Sequence, residues 1–177
     1  YIFSNRLPMS YLPVWILITT PLITLLLFIY GYVFCLKRLY SRILKVKDDV
    51  PFNDFWRGKN EKKDLIVFFM FNSIFFYIIL SSAVLYTGWR HLYFLHSFIV
   101  YLGCIGLNLL SINFKNTKII FFSIGILILF TFYEIKKYHP FQSLYFNQLI
   151  QKTKKKDFEV DYWGLAGSKF LKEILAL

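Results

Sequence analysis

The sequence predicts an all-α integral membrane protein, with four transmembrane helices plus a short extracytoplasmic C-terminal segment. Three observations carry this. The 177 residues are 57% hydrophobic and only 18% charged, which is too apolar for a soluble domain of this length. Leu12 to Leu36 and Leu65 to Trp89 are 25 residues each without Asp, Glu, Lys, Arg or His, and Leu92 to Ile112 is interrupted only by His96. A helix of about 20 apolar residues crosses a bilayer. Finally, the basic residues gather between and after these runs, where Lys and Arg set membrane orientation. The boundaries drawn from the sequence are an extracytoplasmic lead-in at 1–11 and a membrane region at 12–135. Its helices are expected at about 12–36, 65–86, 90–112 and 114–135, with a cytoplasmic loop at 37–64. An extracytoplasmic tail follows at 136–177.

The first span holds Pro13 near its start and Pro21 inside it. Proline removes a backbone donor, so Pro21 kinks the helix unless neighbours compensate. Thr19 and Thr20 precede it, and their hydroxyls are expected to bond the freed carbonyls. The run is not a signal peptide, because it lacks a small-residue cleavage pattern and three more spans follow. The chain opens on Tyr1 rather than Met, and the expectation is a fragment of a longer protein.

The segment 37–63 carries nine Lys or Arg and four Asp or Glu. Within it, "RLYSRILKV" suits an amphipathic surface helix, with Leu39, Ile43 and Val46 on one side. The second and third spans are joined through "TGWRH" by so short a connection that they are expected to be antiparallel neighbours. The fourth apolar run, Ile119 to Tyr133, has only 15 residues. Its flanking Lys115, Lys118, Lys136 and Lys137 extend it by snorkelling. In the tail, "GSKFLKEILAL" places Phe170, Leu171, Ile174 and Leu175 on one helical face.

Orientation follows from charge. Four spans put both termini and "TGWRH" on one side. Counting basic residues within about 15–20 positions of a span end leaves eleven on the side of 37–63, with Lys115 and Lys118. The other side keeps seven, after Lys156, Lys169 and Lys172 drop out. The loop is therefore expected in the cytoplasm and the "TGWRH" turn outside. The formal net charge of +11 belongs to this lipid-facing pattern; no nucleic-acid motif accompanies it. Cys35 and Cys104 both lie in apolar runs and suit packing better than a disulfide or metal pair.

"YTGWRHLYFLH" concentrates polar chemistry beside two spans. Gly88 permits a tight turn, and Trp89 and Tyr93 suit headgroup depth. Arg90 has two roles open to it: snorkelling to bulk headgroups, or gripping one phosphate with its planar fork. His91 and His96 are five residues apart, about 140° around a helix, so they do not share a metal. "KKYHPFQSLYFNQLI" breaks at His139–Pro140 and then presents Phe141, Leu144, Tyr145 and Phe146 to the membrane surface or the bundle top. "FEVDYWG" alternates like a strand and sets Asp161 among aromatics, as a site carboxylate or a turn former beside Gly164. No phosphate-cradling glycine loop, nucleophile elbow or zinc spacing occurs; no cofactor is evident from the motifs, and they leave a divalent-metal requirement open.

Three segments in order, "YLPVWILITTPL", "LYTGWRHLYF" and "HPFQSLYFNQL…FEVDYWG", resemble the C-terminal part of bacterial polytopic C-type glycosyltransferases of the dolichyl-phosphate-mannose–protein mannosyltransferase-like family. The resemblance covers most of the chain. It implies a polyprenyl-phosphate-linked sugar donor, used on the outer face of the cytoplasmic membrane. It implies donor-phosphate or interface binding at Trp89, Arg90 and His91. Site-lining roles are implied for His139, Tyr145, Asn147, Asp161, Tyr162 and Trp163. The family pattern has Asp where this chain has Thr87. The catalytic carboxylate of the family lies in an early extracytoplasmic loop, so none of these residues inherits it. The implied partners are membrane lipids, the sugar donor and an N-terminal part of the same protein. The competing expectation is a non-enzymatic scaffold or lipid-binding subunit.

Overall fold

A computed structural model describes residues 7–44, 55–81, 85, 90–113, 116–137, 139 and 145–150. In the tail it describes 167, 171, 174 and 175. The described residues form five α-helices and one 3-10 turn, with no strand among them. The helices are α1 (Tyr11–Thr19), α2 (Leu22–Leu44), α3 (Lys59–Leu80), α4 (Leu95–Asn113) and α5 (Thr117–Lys137), and the turn is η1 (Arg90–Leu92). Four of them, α2 to α5, are long and apolar enough to cross a membrane.

The first apolar run is not one helix. It breaks at Thr20, whose backbone is extended, and restarts after Pro21. A proline ring cannot continue the preceding turn, so the expected kink is a full break. In turn, α2 runs on to Leu44 and takes in "RLYSRIL" as its last two turns, rather than leaving it as a separate surface helix. α3 opens at Lys59, ahead of its apolar run. Opposed charges explain both extensions. Arg38 pairs with Asp64 at 3.1 Å and Arg42 with Glu61 at 3.1 Å, so the polar ends of the two helices are tied together. Tyr32 donates to Asn72 Oδ1 at 2.7 Å deeper in the pair. Partner numbers fall along α3 as they rise along α2, so the two helices are antiparallel. Aromatic rings fill the space between them: Phe28 meets Phe71 edge-on at 5.5 Å, and Tyr32 lies 5.0 Å from Phe68.

The most intimate helix pair is α2 with α4. Glycine makes it so. A Cβ on Gly31 would overlap the Leu102 carbonyl oxygen, and one on Gly106 would overlap the Leu27 carbonyl oxygen. The two backbones therefore touch without side chains between them. This is how helices associate where no hydrophobic force separates lipid from protein. Leu95, Ile99 and Leu102 on the same helix are fully enclosed, and they share one core with Leu12, Trp15, Ile16, Phe68, Phe71 and Phe146. By contrast, α5 buries only Ile124 among its described side chains.

Gly167, Leu171, Ile174 and Leu175 have helical backbone and are exposed, in line with the spacing of apolar residues there. The strand-like stretch 158–164 lies outside the described residues.

Candidate functional site

The polar centre of the described structure is the gap between α1 and α2, and the residue that fills it is Asn147. In an unbroken helix the amide of residue 21 would donate to the Leu17 carbonyl, and that of residue 22 to the Ile18 carbonyl. Pro21 has no N–H, and the extended Thr20 carries Leu22 away. Asn147 replaces the lost donors. Its side-chain amide donates to the Leu17 carbonyl at 2.6 Å and to the Thr20 carbonyl at 2.7 Å. Its backbone N–H donates to the Ile18 carbonyl at 2.8 Å. Its Oδ1 accepts from the Leu149 N–H at 3.0 Å, which orients the amide. Only 2% of Asn147 is exposed. A buried amide of this kind is tolerated because its donors and its carbonyl are all engaged.

The threonines do less than the sequence suggests. The Thr19 hydroxyl donates to the Trp15 carbonyl at 2.7 Å, within α1. The Thr20 hydroxyl is buried without a hydrogen-bond partner among the described residues. The freed carbonyls are met instead by a residue more than a hundred positions away. Phe146 completes the docking, with its ring 6.1 Å from that of Trp15, and Tyr145 beside it is also buried. Gln148 then ties the segment to α5 by donating to Glu134.

The other predicted residues are distributed around this centre. Arg90 and His91 are exposed in η1, which is anchored by the buried Leu92. His96 is half-buried in α4 and stacks on the Tyr93 ring at 5.5 Å, whereas His91 faces outward. His139 is exposed in a turn, with its N–H donating to the Lys136 carbonyl at 3.0 Å. Trp89, Asp161, Tyr162 and Trp163 lie outside the described residues. Among the described residues, no three His, Cys, Asp or Glu side chains gather where a metal ion could be held.

A second polar cluster was not anticipated. The Asp64 carboxylate takes two bonds from Arg38 at 3.1 and 3.2 Å, and a third from the Tyr101 hydroxyl at 3.0 Å. One acid thus joins α2, α3 and α4. Asp64 stands directly before the apolar run of the second span, a position that rewards an inward-facing partner. That position was the available signal, but the identity of the partner was not.

No family model, curated protein or solved structure matches the chain.

Proposed function

We propose that the chain is the C-terminal membrane part of a glycosyltransferase that takes its sugar from a polyprenyl-phosphate carrier at the outer face of a bacterial cytoplasmic membrane. The observation that carries the proposal is the contact between two of the three segments that resemble such enzymes. "YFN" of the third segment is hydrogen-bonded into "LITTP" of the first, through Asn147 and the carbonyls of Leu17, Ile18 and Thr20. Segments that share a resemblance and also build one site fit a common function better than independent membrane anchors would. The second segment supplies η1, whose buried Leu92 holds the backbone while Arg90 stays exposed.

In this reading Arg90 binds the donor phosphate. A guanidinium offers two parallel N–H groups to a phosphate, and hydrogen bonds to charged groups contribute about 1.5–3 kcal/mol each. Lysine keeps the charge and loses the fork. Donor titration of the intact parent protein tests this. Arg90→Lys should weaken binding by roughly 10- to 150-fold, and Arg6→Lys should leave it unchanged. Equal donor affinity of Arg90→Lys and wild type would remove Arg90 from the site. The catalytic carboxylate comes from upstream of this chain, so the 177 residues alone should show no transfer.

The orientation belongs to the same proposal, with 37–64 cytoplasmic and the tail outside. With Cys35 and Cys104 replaced, an impermeant thiol reagent added from outside should label Leu149→Cys and spare Asn60→Cys; both positions are exposed. The reverse pattern would invert the topology.

A second reading, a membrane scaffold or lipid-binding subunit, draws on α5. Its Phe122, Leu129, Phe132 and Tyr133 all face outward, a surface suited to lipid or to another helix. Sugar transfer by the parent protein separates the two.

A further inference from the structure

The break between α1 and α2 has a property that a simple kink lacks: its repair comes from outside. We propose that residues 145–150 act as a latch across this break. Docked, the latch ties α1 to α2 by hydrogen bonds; withdrawn, it leaves α1 held by its apolar packing against the core and loosens the joint at Thr20–Pro21. This rests on the fold and not on the glycosyltransferase reading.

Because Pro21 has no N–H, the Leu17 carbonyl lacks its helical donor, and here the backbone breaks at the extended Thr20 rather than continuing as a kinked helix. The joint is therefore a weak point in the hydrogen-bond ladder unless a third element bridges it. Asn147 is that element, with two bonds to α1 carbonyls and one to the Thr20 carbonyl in the linker. Tyr145, Phe146 and Asn147 are buried and Ile150 packs partly buried against the core, while Gln148 and Leu149 are exposed. Among the described residues, the latch is tethered on its outer side by a surface bond from Gln148 to Glu134 near the end of α5. Motion of α5 would thus pass to α1 through Glu134, Gln148 and Asn147. The Thr20 hydroxyl, enclosed without a partner among the described residues, gains a hydrogen bond to water when the latch leaves, which favours opening wherever water reaches the joint.

Backbone hydrogen exchange of the full chain in lipid nanodiscs tests the latch. In the wild type, the amides of Asn147 and Thr20 should be protected, since they donate to the Ile18 and Ile16 carbonyls. Asn147→Asp keeps the shape but loses both side-chain donors and sets a carboxylate against carbonyl oxygens. It should speed exchange over 145–150 and 16–20 about tenfold or more. Pro21→Ala restores the missing donor. In the double variant, residues 16–22 should recover protection while 145–150 stay fast, because the helix then satisfies itself. Should Asn147→Asp fail to fold, Gln148→Ala loosens only the outer tether. It should speed exchange over 145–150 about threefold and leave α2 and α4 unchanged. The latch is refuted if exchange over 145–150 is unaltered in these variants, or if the double variant leaves 16–22 as open as Asn147→Asp alone.

Discussion

Helices α4 and α5 look alike in composition and behave differently. Their mean hydropathies are 1.8 and 2.0, so both satisfy the requirement for a span. Yet α4 buries Leu95, Ile99, Leu102, Gly103 and Gly106, whereas α5 buries only Ile124 among its described side chains. Glycine placement separates them. Gly103 and Gly106 sit where the α2 backbone arrives, while an added Cβ at Gly125 of α5 would meet nothing within 4 Å. Apolarity decides that a segment enters lipid. It does not decide what the segment touches there, because lipid tails and leucine side chains are equally apolar. Close packing does, and close packing requires a backbone without a side chain in the way.

The comparison breaks most sharply at Gly106. Gly106→Leu should force α4 away from the Leu27 carbonyl and cost about 3 kcal/mol, read as loss of the folded form in a detergent unfolding titration. Gly125→Leu on α5 should move stability by no more than about 1 kcal/mol. Equal losses would mean that the glycines do not set the packing.

Next in size is Asn147→Leu. It fills the same space but leaves the Leu17 and Thr20 carbonyls without their donor, at about 1–3 kcal/mol for each buried group left unpaired. The same titration should show a loss of about 2–4 kcal/mol. A loss below about 1 kcal/mol would mean that water already serves those carbonyls.

A smaller effect is expected where α4 meets the α2–α3 ion pair. Tyr101→Phe deletes one hydrogen bond to Asp64 and should cost about 0.5–1.5 kcal/mol. In a Tyr101→Phe/Asp64→Asn double-mutant cycle, the two losses should fall short of additivity, since both remove the same contact. Strict additivity would place Tyr101 outside the cluster.

Smallest of all should be Phe122→Ala on α5, within about 0.5 kcal/mol, because that ring is 71% exposed and lipid replaces it. A large loss there would reveal a partner on the α5 face.

The contrast also explains what was legible beforehand. The four long apolar helices could be read from the runs themselves, because spanning depends on length and composition. The break at Pro21 was legible as a disturbance, because proline acts on its own backbone. The continuation of α2 through "RLYSRIL" was not. Its amphipathic pattern describes an interfacial helix equally well, and only the pairing of Arg38 and Arg42 with Asp64 and Glu61 extends it. Among the site residues, Tyr145 and Asn147 were singled out beforehand as site-lining, but nothing in the sequence set them against the first span or preferred Asn147 over the adjacent polar Gln148.

Taken alone, then, the sequence determined the helical class, the four runs long and apolar enough to cross a membrane and the position of the helix-breaking proline, since each depends on local composition or on one residue's covalent structure. Tertiary structure decided the rest. Which carbonyls Asn147 serves, which backbone lies against Gly31 and Gly106, and which three helices Asp64 joins are all contacts between residues far apart in the chain. Such contacts depend on where two helices cross and in what rotation. Hydropathy is nearly uniform around these helices and so carries little information about rotation; the shapes of small residues and the hydrogen-bonding needs of a few buried polar groups supply it.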